Sequence, residues 1–171
     1  MNRDAFSLIE LLVVLTLISL VAVSVSVRWS ESYKRVEFQS AVERFLDMEA
    51  STRRVSRRVR RNASIMVDLG SESVSATRWN DGVAHQVQYT FPSGVNLNMI
   101  RVGQIEASEG QHQIAFDQAG AGPTWAIKLQ RGNQQQWLVF AGRTGQQLEF
   151  GDDEAVEEFF KKMQVNGINA D

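Results

Sequence analysis

Apolar residues form one continuous run near the N-terminus, over residues 6–27, and this run contains a single charged residue, Glu10. A helix of that length rises about 33 Å, which is enough to cross the hydrocarbon core of a bilayer. The pattern therefore predicts a transmembrane helix over residues 6–27. A cleavable secretory signal, whose apolar core is about 7–15 residues long, and a plain anchor helix are the alternatives. Neither alternative explains the glutamate.

Helical periodicity continues beyond the apolar run, because residues 29–60 contain no Gly or Pro and keep apolar side chains at helical spacing. These side chains fall within a sector of about 100° on a helical wheel. The predicted stripe consists of Phe38, Ala41, Phe45, Met48, Thr52, Val55 and Val59. We expect the helix to reach about residue 60 and to pack this stripe against the domain that follows.

From residue 63 onward the pattern changes to short segments separated by turns, which predicts strands. The predicted strands cover residues 65–69, 73–79, 86–91, 95–102, 113–117, 125–130, 136–140 and 147–150. Gly132 and Asn133 in the spacer predict a hairpin between the sixth and seventh strands. Residues 152–164 predict a short helix capped by Asp152 or Asp153. The fold class is therefore α+β, with a long N-terminal helix packed on an antiparallel β-sheet domain.

Composition and charge narrow the possible functions. Residues 1–61 carry 11 Lys or Arg against 7 Asp or Glu, a net charge of +4, whereas residues 62–171 carry 7 against 13, a net charge of −6. The chain has no cysteine, which excludes disulfides, thiolate metal sites and a cysteine nucleophile. His85 and His112 belong to no metal-binding or nucleophile motif. We expect no catalytic residue, no metal and no cofactor; an enzyme with an unrecognised site is the alternative.

Glu10 needs a positively charged partner if the apolar run enters lipid. A carboxylate at membrane depth costs about 2.5–3.5 kcal/mol on insertion scales. Cleavage between Ala5 and Phe6 would create an α-amine on Phe6, roughly one helical turn from Glu10. Between packed helices, the amine of one subunit could also reach the carboxylate of its neighbour.

The residues around Glu10 resemble the N-terminal signature of type IV pilins and pseudopilins. That signature is a short polar leader, a small residue, Phe, a hydroxyl residue, Leu, Ile or Leu, and Glu, followed by an apolar helix; residues 5–15 match it. The resemblance implies that a prepilin peptidase cleaves after Ala5 and N-methylates Phe6, and that Glu10 is the assembly carboxylate. Ala5 stands where the family usually has Gly, and its small side chain still fits a subsite that excludes bulk.

The resemblance also implies a location and a set of partners. The chain would be a single-pass protein of the bacterial inner membrane, with its C-terminal domain in the periplasm, assembled into a periplasmic fibre. Basic residues after the apolar run favour the opposite topology by the positive-inside rule, and the motif outweighs them. The expected partners are prepilin peptidase, inner-membrane lipid, and other pseudopilins or pilins through the N-terminal helix. The implied domains are a leader at 1–5, a transmembrane helix at 6–27, its amphipathic continuation at 28–61 and a pilin-like periplasmic β-rich domain at 62–171 with a short C-terminal helix.

Two features suggest which member of the class this chain is. The stretch from Phe116 to Phe150 is similar to the H-type minor pseudopilin domain, and the first proline is Pro92, so the N-terminal helix lacks the proline of many major pilins. The predicted function is a minor pseudopilin, a structural subunit of a type II secretion pseudopilus that serves protein secretion across the outer membrane. The alternative is a minor type IV pilin involved in pilus assembly or DNA uptake.

An arginine cluster near the end of the predicted helix lies largely opposite the apolar stripe. Its members are Arg53, Arg54, Arg57, Arg58, Arg60 and Arg61. One interpretation is a solvated face that the helix dipole stabilises; another is a face that binds an anion or an acidic neighbouring subunit. Nucleic acid is a possible partner only in the pilus alternative.

Overall fold

The computed structural model describes residues 8–165, without the side chains of residues 22–31, Asn80 and Val165. Within that range the chain forms two α-helices and nine β-strands, and the predicted α+β fold is confirmed. The helices are α1, Leu8–Val59, and α2, Asp153–Val165. The strands are β1 Ala63–Asp68, β2 Ser73–Asn80, β3 Val83–Thr90, β4 Asn96–Val102, β5 Ile105–Ala107, β6 Gln111–Phe116, β7 Trp125–Arg131, β8 Gln134–Phe140 and β9 Gln147–Phe150.

The chain divides into two compact units, Met1–Gln39 and Ser40–Asp171. In the first unit the described part is helical from Leu8, and every side chain over residues 8–21 is exposed. No helix within the described residues combines the length and the hydropathy that a membrane crossing requires. The predicted span over residues 6–27 lies partly outside the described residues.

The second unit contains two antiparallel sheets. One has the strand order β3-β2-β1-β6 and the other β5-β4-β7-β8-β9. The predicted hairpin is formed by β7 and β8, which are joined by a two-residue turn at Gly132 and Asn133. Short strand β5 was not predicted, because its three residues give too little alternation to be recognised.

The five-stranded sheet is covered by a helix on each face. On one face, the rings of Trp125 and Phe140 lie 5.9 Å from the ring of Phe45 in α1. On the other face, Ala126, Trp137 and Val139 pack against Val156 and Phe160 of α2. This layering follows from the alternation of side chains along β7 and β8, which points successive residues to opposite faces.

Helix α2 is fixed at its N-terminal end by two aspartates with different tasks. Asp152 caps the helix, since its Oδ1 accepts a hydrogen bond of 2.7 Å from the Ala155 amide. Asp153 ties the helix to the sheet, because its carboxylate accepts hydrogen bonds from Lys128 Nζ at 2.7 Å and Trp137 Nε1 at 2.6 Å.

Strand β3 is an edge of the four-stranded sheet. Seven of its eight residues are exposed, and only Tyr89 is half-buried. The strand contains no Lys, Arg, Asp, Glu or Pro, the residues with which natural proteins usually protect such edges.

The buried side of α1 differs from the predicted stripe in its last three turns. Phe38, Ala41, Phe45 and Thr52 are buried as predicted, but Met48, Val55 and Val59 are only half-buried. The structure buries polar positions in their place: Glu49, Arg53 and Ser56. The stripe was wrong there because a hydrophobic wheel assigns charged residues to solvent, whereas these residues find partners inside the domain.

Candidate assembly surface and buried ion pair

The N-terminal part of α1 presents an apolar surface with no cover in the described chain. Leu8 and Ile9 are 81% and 74% exposed, and large apolar residues stay exposed as far as Val21. Thr16 and Ser19 donate their hydroxyl hydrogens to carbonyls of their own helix, at 2.7 and 2.8 Å. Both hydroxyl groups therefore keep a hydrogen bond within the helix when their surroundings are apolar. Contiguous apolar surface of this kind marks a contact with protein or membrane.

Glu10 lies in the first turn of α1 and is exposed. Within the described part of the chain it has no hydrogen bond and no ion pair. A carboxylate in this position is favoured by the helix dipole, but the dipole alone does not replace a partner in an apolar setting. Ala5 and Phe6 lie outside the described residues, so cleavage, methylation and the pairing of an amine with Glu10 stay predictions.

The structure separates the predicted arginine cluster into two groups. Arg54, Arg57, Arg58, Arg60 and Arg61 are exposed. Arg61 lies against Trp79, with its guanidinium carbon 4.9 Å from the ring centroid, and donates from Nη1 to the Gly82 carbonyl at 2.9 Å. Arg60 ends the helix in a left-handed conformation with φ 53°.

Arg53 does not belong to the exposed face, and its assignment to that face was wrong. Its side chain is 4% exposed and donates from Nε to Glu49 Oε1. Nη1 donates to the carbonyls of Gly142 at 2.6 Å and Gly120 at 3.3 Å, and the guanidinium lies 4.6 Å from the Phe116 ring centroid. Arg53 therefore connects α1 to the loop before β7 and the loop after β8.

Sequence reasoning missed Glu49, the other member of this buried ion pair. Burial raises the pKa of the Glu49 carboxyl, and the opposing effect of Arg53 is smaller. The side chain is completely buried. Among the residues that the structure describes, Glu49 Oε2, Arg53 Nη2 and Trp125 Nε1 are buried polar atoms without a hydrogen-bond partner. The signal available in the sequence was the spacing of Glu49 and Arg53, since Glu four residues before Arg is a favourable helical pair.

Comparison with known proteins gives one motif match and two similar structures. Residues 1–26 match the prokaryotic N-terminal methylation motif. The fold is similar to that of the minor pseudopilin EpsH from the type 2 secretion system of Vibrio cholerae, with 11% identity, a TM-score of 0.51, and coverage of 67% of this chain and 97% of that chain. The chain therefore carries the N-terminal methylation motif of prepilins and a fold similar to that of a minor pseudopilin. The predicted recognition of the prepilin motif is confirmed.

The fold is also similar to that of the type IV minor pilin FimU of Pseudomonas aeruginosa strain PAO1, with 16% identity, a TM-score of 0.48, and coverage of 67% of this chain and 88% of that chain. No curated protein matches its sequence. The methylation motif implies processing by a prepilin peptidase.

Proposed function

We propose that the chain is a minor pseudopilin of a type II secretion system, held in the inner membrane by residues 6–27 until it joins a periplasmic fibre. It carries no catalytic activity in this proposal. The observation that supports the proposal best is the exposed apolar helix over residues 8–21, whose first turn holds one carboxylate, Glu10, without an ion pair to any residue from 8 to 165. A surface of this kind needs lipid first and neighbouring helices afterwards.

The role of Glu10 follows from its surroundings. Apolar contacts between helices bring little selectivity, because lipid tails are as apolar as leucine. A carboxylate buried among such helices costs free energy unless a positive group meets it. The liberated amine of Phe6 on an adjacent subunit is the group that the motif would provide. Pairing it with Glu10 makes entry into the fibre depend on the correct axial position of each new subunit.

The test is a Glu10→Val variant expressed in the native host. We expect the leader to be removed and Phe6 to be methylated, because the carboxylate acts after processing, whereas the variant should be missing from fibres isolated from the periplasm after the outer membrane is removed. Intact-mass measurement reads processing, and quantitative blotting of the isolated fibre fraction reads assembly. Thr16→Val is the matched control: it removes a polar group from the same apolar surface, but one that is satisfied within its own helix, so it should assemble normally.

Two results contradict this role. If Glu10→Val entered fibres as well as Thr16→Val, the carboxylate would have no part in assembly. If the wild-type chain kept its first five residues in the native host, no amine would exist at Phe6 and the proposal would fail.

The second candidate is a minor type IV pilin. Its N-terminal helix and Glu10 would act in the same way, but the fibre would be a pilus instead of a secretion pseudopilus. The observation that favours it is the group of exposed arginines at the end of α1, Arg54, Arg57, Arg58 and Arg60, since cationic side chains of this kind can neutralise nucleic-acid phosphates. Genes for a secretion ATPase and an outer-membrane secretin beside this gene would support the first candidate, and pilus-retraction genes would support the second.

A further inference from the structure

Strand β3 and the last part of α1, both within the second compact unit, run side by side in opposite directions. At one end Arg61, which follows α1, donates from Nη1 to the Gly82 carbonyl at 2.9 Å. At the other end Arg44 lies beside Tyr89: burial raises the pKa of the Tyr89 phenol, and the Arg44 guanidinium opposes that rise. The two arginines are about 26 Å apart along a helix, and their two partners are about 23 Å apart along a strand. The two paths therefore match in length.

An apolar groove lies between these two elements. Its α1 side consists of half-buried residues that follow Arg44 at helical spacing: Met48, Val55 and Val59. On β3, Val83 and Val87 point to the core side of the sheet, because Val87 is paired with the fully buried Ala76. The two valines are nevertheless 57% and 49% exposed, since β3 extends beyond the part of the sheet that α1 covers.

The register of β3 with β2 shows which of its backbone groups point outward. Phe91 N donates to the Glu72 carbonyl at 3.5 Å, so these two residues form a hydrogen-bonded pair. Hydrogen-bonded and non-hydrogen-bonded pairs alternate in an antiparallel ladder, so Tyr89 and every second residue before it also bond to β2. The residues whose N–H and C=O groups point away from β2 are Ala84, Gln86, Gln88 and Thr90. An extended chain that paired with these groups would place every second side chain on the groove side.

Two arginines of α1 mark the ends of the groove. Arg44 lies at the Tyr89 end, and Arg58, about 21 Å further along the helix, is level with Val83. Both are exposed, and neither forms an ion pair within the described residues. The carboxylates of the adjoining segments, which pair with neither arginine in that part of the chain, belong to Asp47, Glu72 and Asp81. The groove therefore favours an extended chain with apolar side chains at its centre and a carboxylate at each end.

The edge strands of a second copy do not meet these requirements. Strands β3 and β6 contain no carboxylate. Strands β5 and β9 have three and four residues, so they extend only about 10–13 Å and cannot reach both arginines. Their carboxylates are also engaged, Glu106 by Arg101 at 2.9 Å and Glu149 by Gln136. The matching strand must therefore come from a different polypeptide.

We infer that β3 and the groove beside it bind an acidic edge strand of a different subunit in the same fibre, which adds to the four-stranded sheet beyond β3. This inference rests on the proposed function, because a fibre places subunits of other kinds beside this one. It also explains why β3 lacks the charged side chains that protect other edges, since such side chains would block the added strand.

A peptide probe tests this recognition on the full-length chain in a mild non-ionic detergent. The probe is a seven-residue peptide with glutamate at both ends, valine at its third and fifth positions, and threonine between them. It reads the same in both directions, and its ends lie about 20 Å apart when it is extended. The control probe has lysine in place of both glutamates. We expect the acidic probe to bind at least about tenfold more tightly, measured by fluorescence anisotropy.

Two sets of variants separate backbone pairing from charge. Gln88→Pro removes one outward N–H and leaves the bonds to β2 in place, so binding of the acidic probe should weaken about tenfold. Gln88→Ala keeps the N–H and should bind the probe normally. The double variant Arg44→Glu with Arg58→Glu should reverse the preference, so that the lysine probe binds better than the acidic one. A reversed preference cannot result from a general loss of folding.

The source of the strand is tested in the native host. A photoreactive amino acid replaces exposed Gln86, whose side chain would lie next to the added strand. Fibres are isolated from the periplasm after the outer membrane is removed, irradiated, and analysed for cross-linked peptides by mass spectrometry. We expect cross-links to an acidic strand of another protein that carries the prepilin motif, and about tenfold fewer when the chain also carries Gln88→Pro.

The outcomes separate this inference from the proposed function. Preference for the acidic probe, its reversal in the double variant, and cross-links to another prepilin-type subunit support the inference. Equal binding of the two probes, or an equal effect of Gln88→Pro and Gln88→Ala, would overturn it while leaving the subunit role intact. Fibres that contain the chain but give cross-links to a second copy, to a secreted protein or to nothing would do the same. Wild-type chain missing from isolated fibres would refute the proposed function itself.

Discussion

The buried pair of Glu49 and Arg53 gives the most decisive test of the fold. Arg53→Ala removes the positive charge and leaves the Glu49 carboxylate enclosed without its partner. It also removes the donor to the carbonyls of Gly120 and Gly142. Breaking a buried ion pair by removing one partner typically costs about 3–5 kcal/mol. We expect a loss of that size, which is a large share of the roughly 5–15 kcal/mol that stabilises an ordinary domain.

The neighbouring arginine provides a matched control. Arg54 has the same side chain in the same turn of α1, but it is exposed and forms no ion pair within the described residues. Arg54→Ala should therefore change the free energy of unfolding by no more than about 0.5 kcal/mol. Comparing the two alanine variants removes any common effect of helix propensity.

The assay is urea unfolding of the full-length chain in a mild non-ionic detergent, followed by tryptophan fluorescence. Of the four tryptophans in the chain, Trp125 is completely buried beside Phe45, so its share of the emission reports packing at this part of α1. A double variant, Glu49→Met with Arg53→Met, should be at least about 1 kcal/mol more stable than Arg53→Met alone, because it removes the unpaired carboxylate as well.

The reasoning fails if Arg53→Ala unfolds at the same urea concentration as Arg54→Ala, with an unchanged slope. That result would mean that the guanidinium contributes no net stability despite its burial. A double methionine variant that is less stable than Arg53→Met would show that the carboxylate is not the source of the cost.

Three further predictions concern pH and packing. Burial raises the pKa of Glu49. The stability that this raised pKa contributes is present below the ordinary pKa of a glutamate and is lost as pH rises through the raised value. In Glu49→Gln the free energy of unfolding, measured between about pH 4 and 7, should therefore fall less steeply with rising pH. The ion pair with Lys128 lowers the pKa of Asp153. Because the Asp153 side chain is 64% exposed, Asp153→Asn should cost only about 0.5 kcal/mol at neutral pH, and this difference should vanish as pH falls through the lowered pKa. In Gly142→Ala the new Cβ would overlap backbone atoms of the loop before β7, so we expect thermal unfolding to show a loss of about 3 kcal/mol in the free energy of unfolding. In Gly151→Ala the new Cβ meets open space, so stability should be nearly unchanged.

The hairpin and the C-terminal helix could be predicted from the sequence because each is determined by a short stretch of consecutive residues. The hairpin of β7 and β8 followed from alternation and a Gly-Asn turn, and α2 followed from its cap and its apolar period. Val156 and Phe160 form its buried face. Each of these features is decided by fewer than about twenty consecutive residues, which is the range over which periodicity is informative.

The remaining features depend on contacts between distant residues. The division into two sheets rests on the pairing of β1 with β6 across more than forty residues. The burial of Arg53 depends on two loop carbonyls from residues 67 and 89 positions further along the chain. No pattern within the helix can reveal such acceptors, so the arginine was assigned to solvent with its neighbours.

Glu10 in the candidate assembly surface stood out because one charge interrupts a long apolar run, which is a local contrast.

Strand β3 has a practical consequence for anyone handling this protein outside its fibre. Its free backbone amides and carbonyls run along an edge with no charged side chain to keep another strand away. Concentrated samples should therefore form higher oligomers through intermolecular sheet extension, detectable by light scattering. A lysine in place of exposed Gln86 should keep such samples monodisperse with little change in fold stability, which makes Gln86→Lys the first substitution to try for crystallisation or spectroscopy.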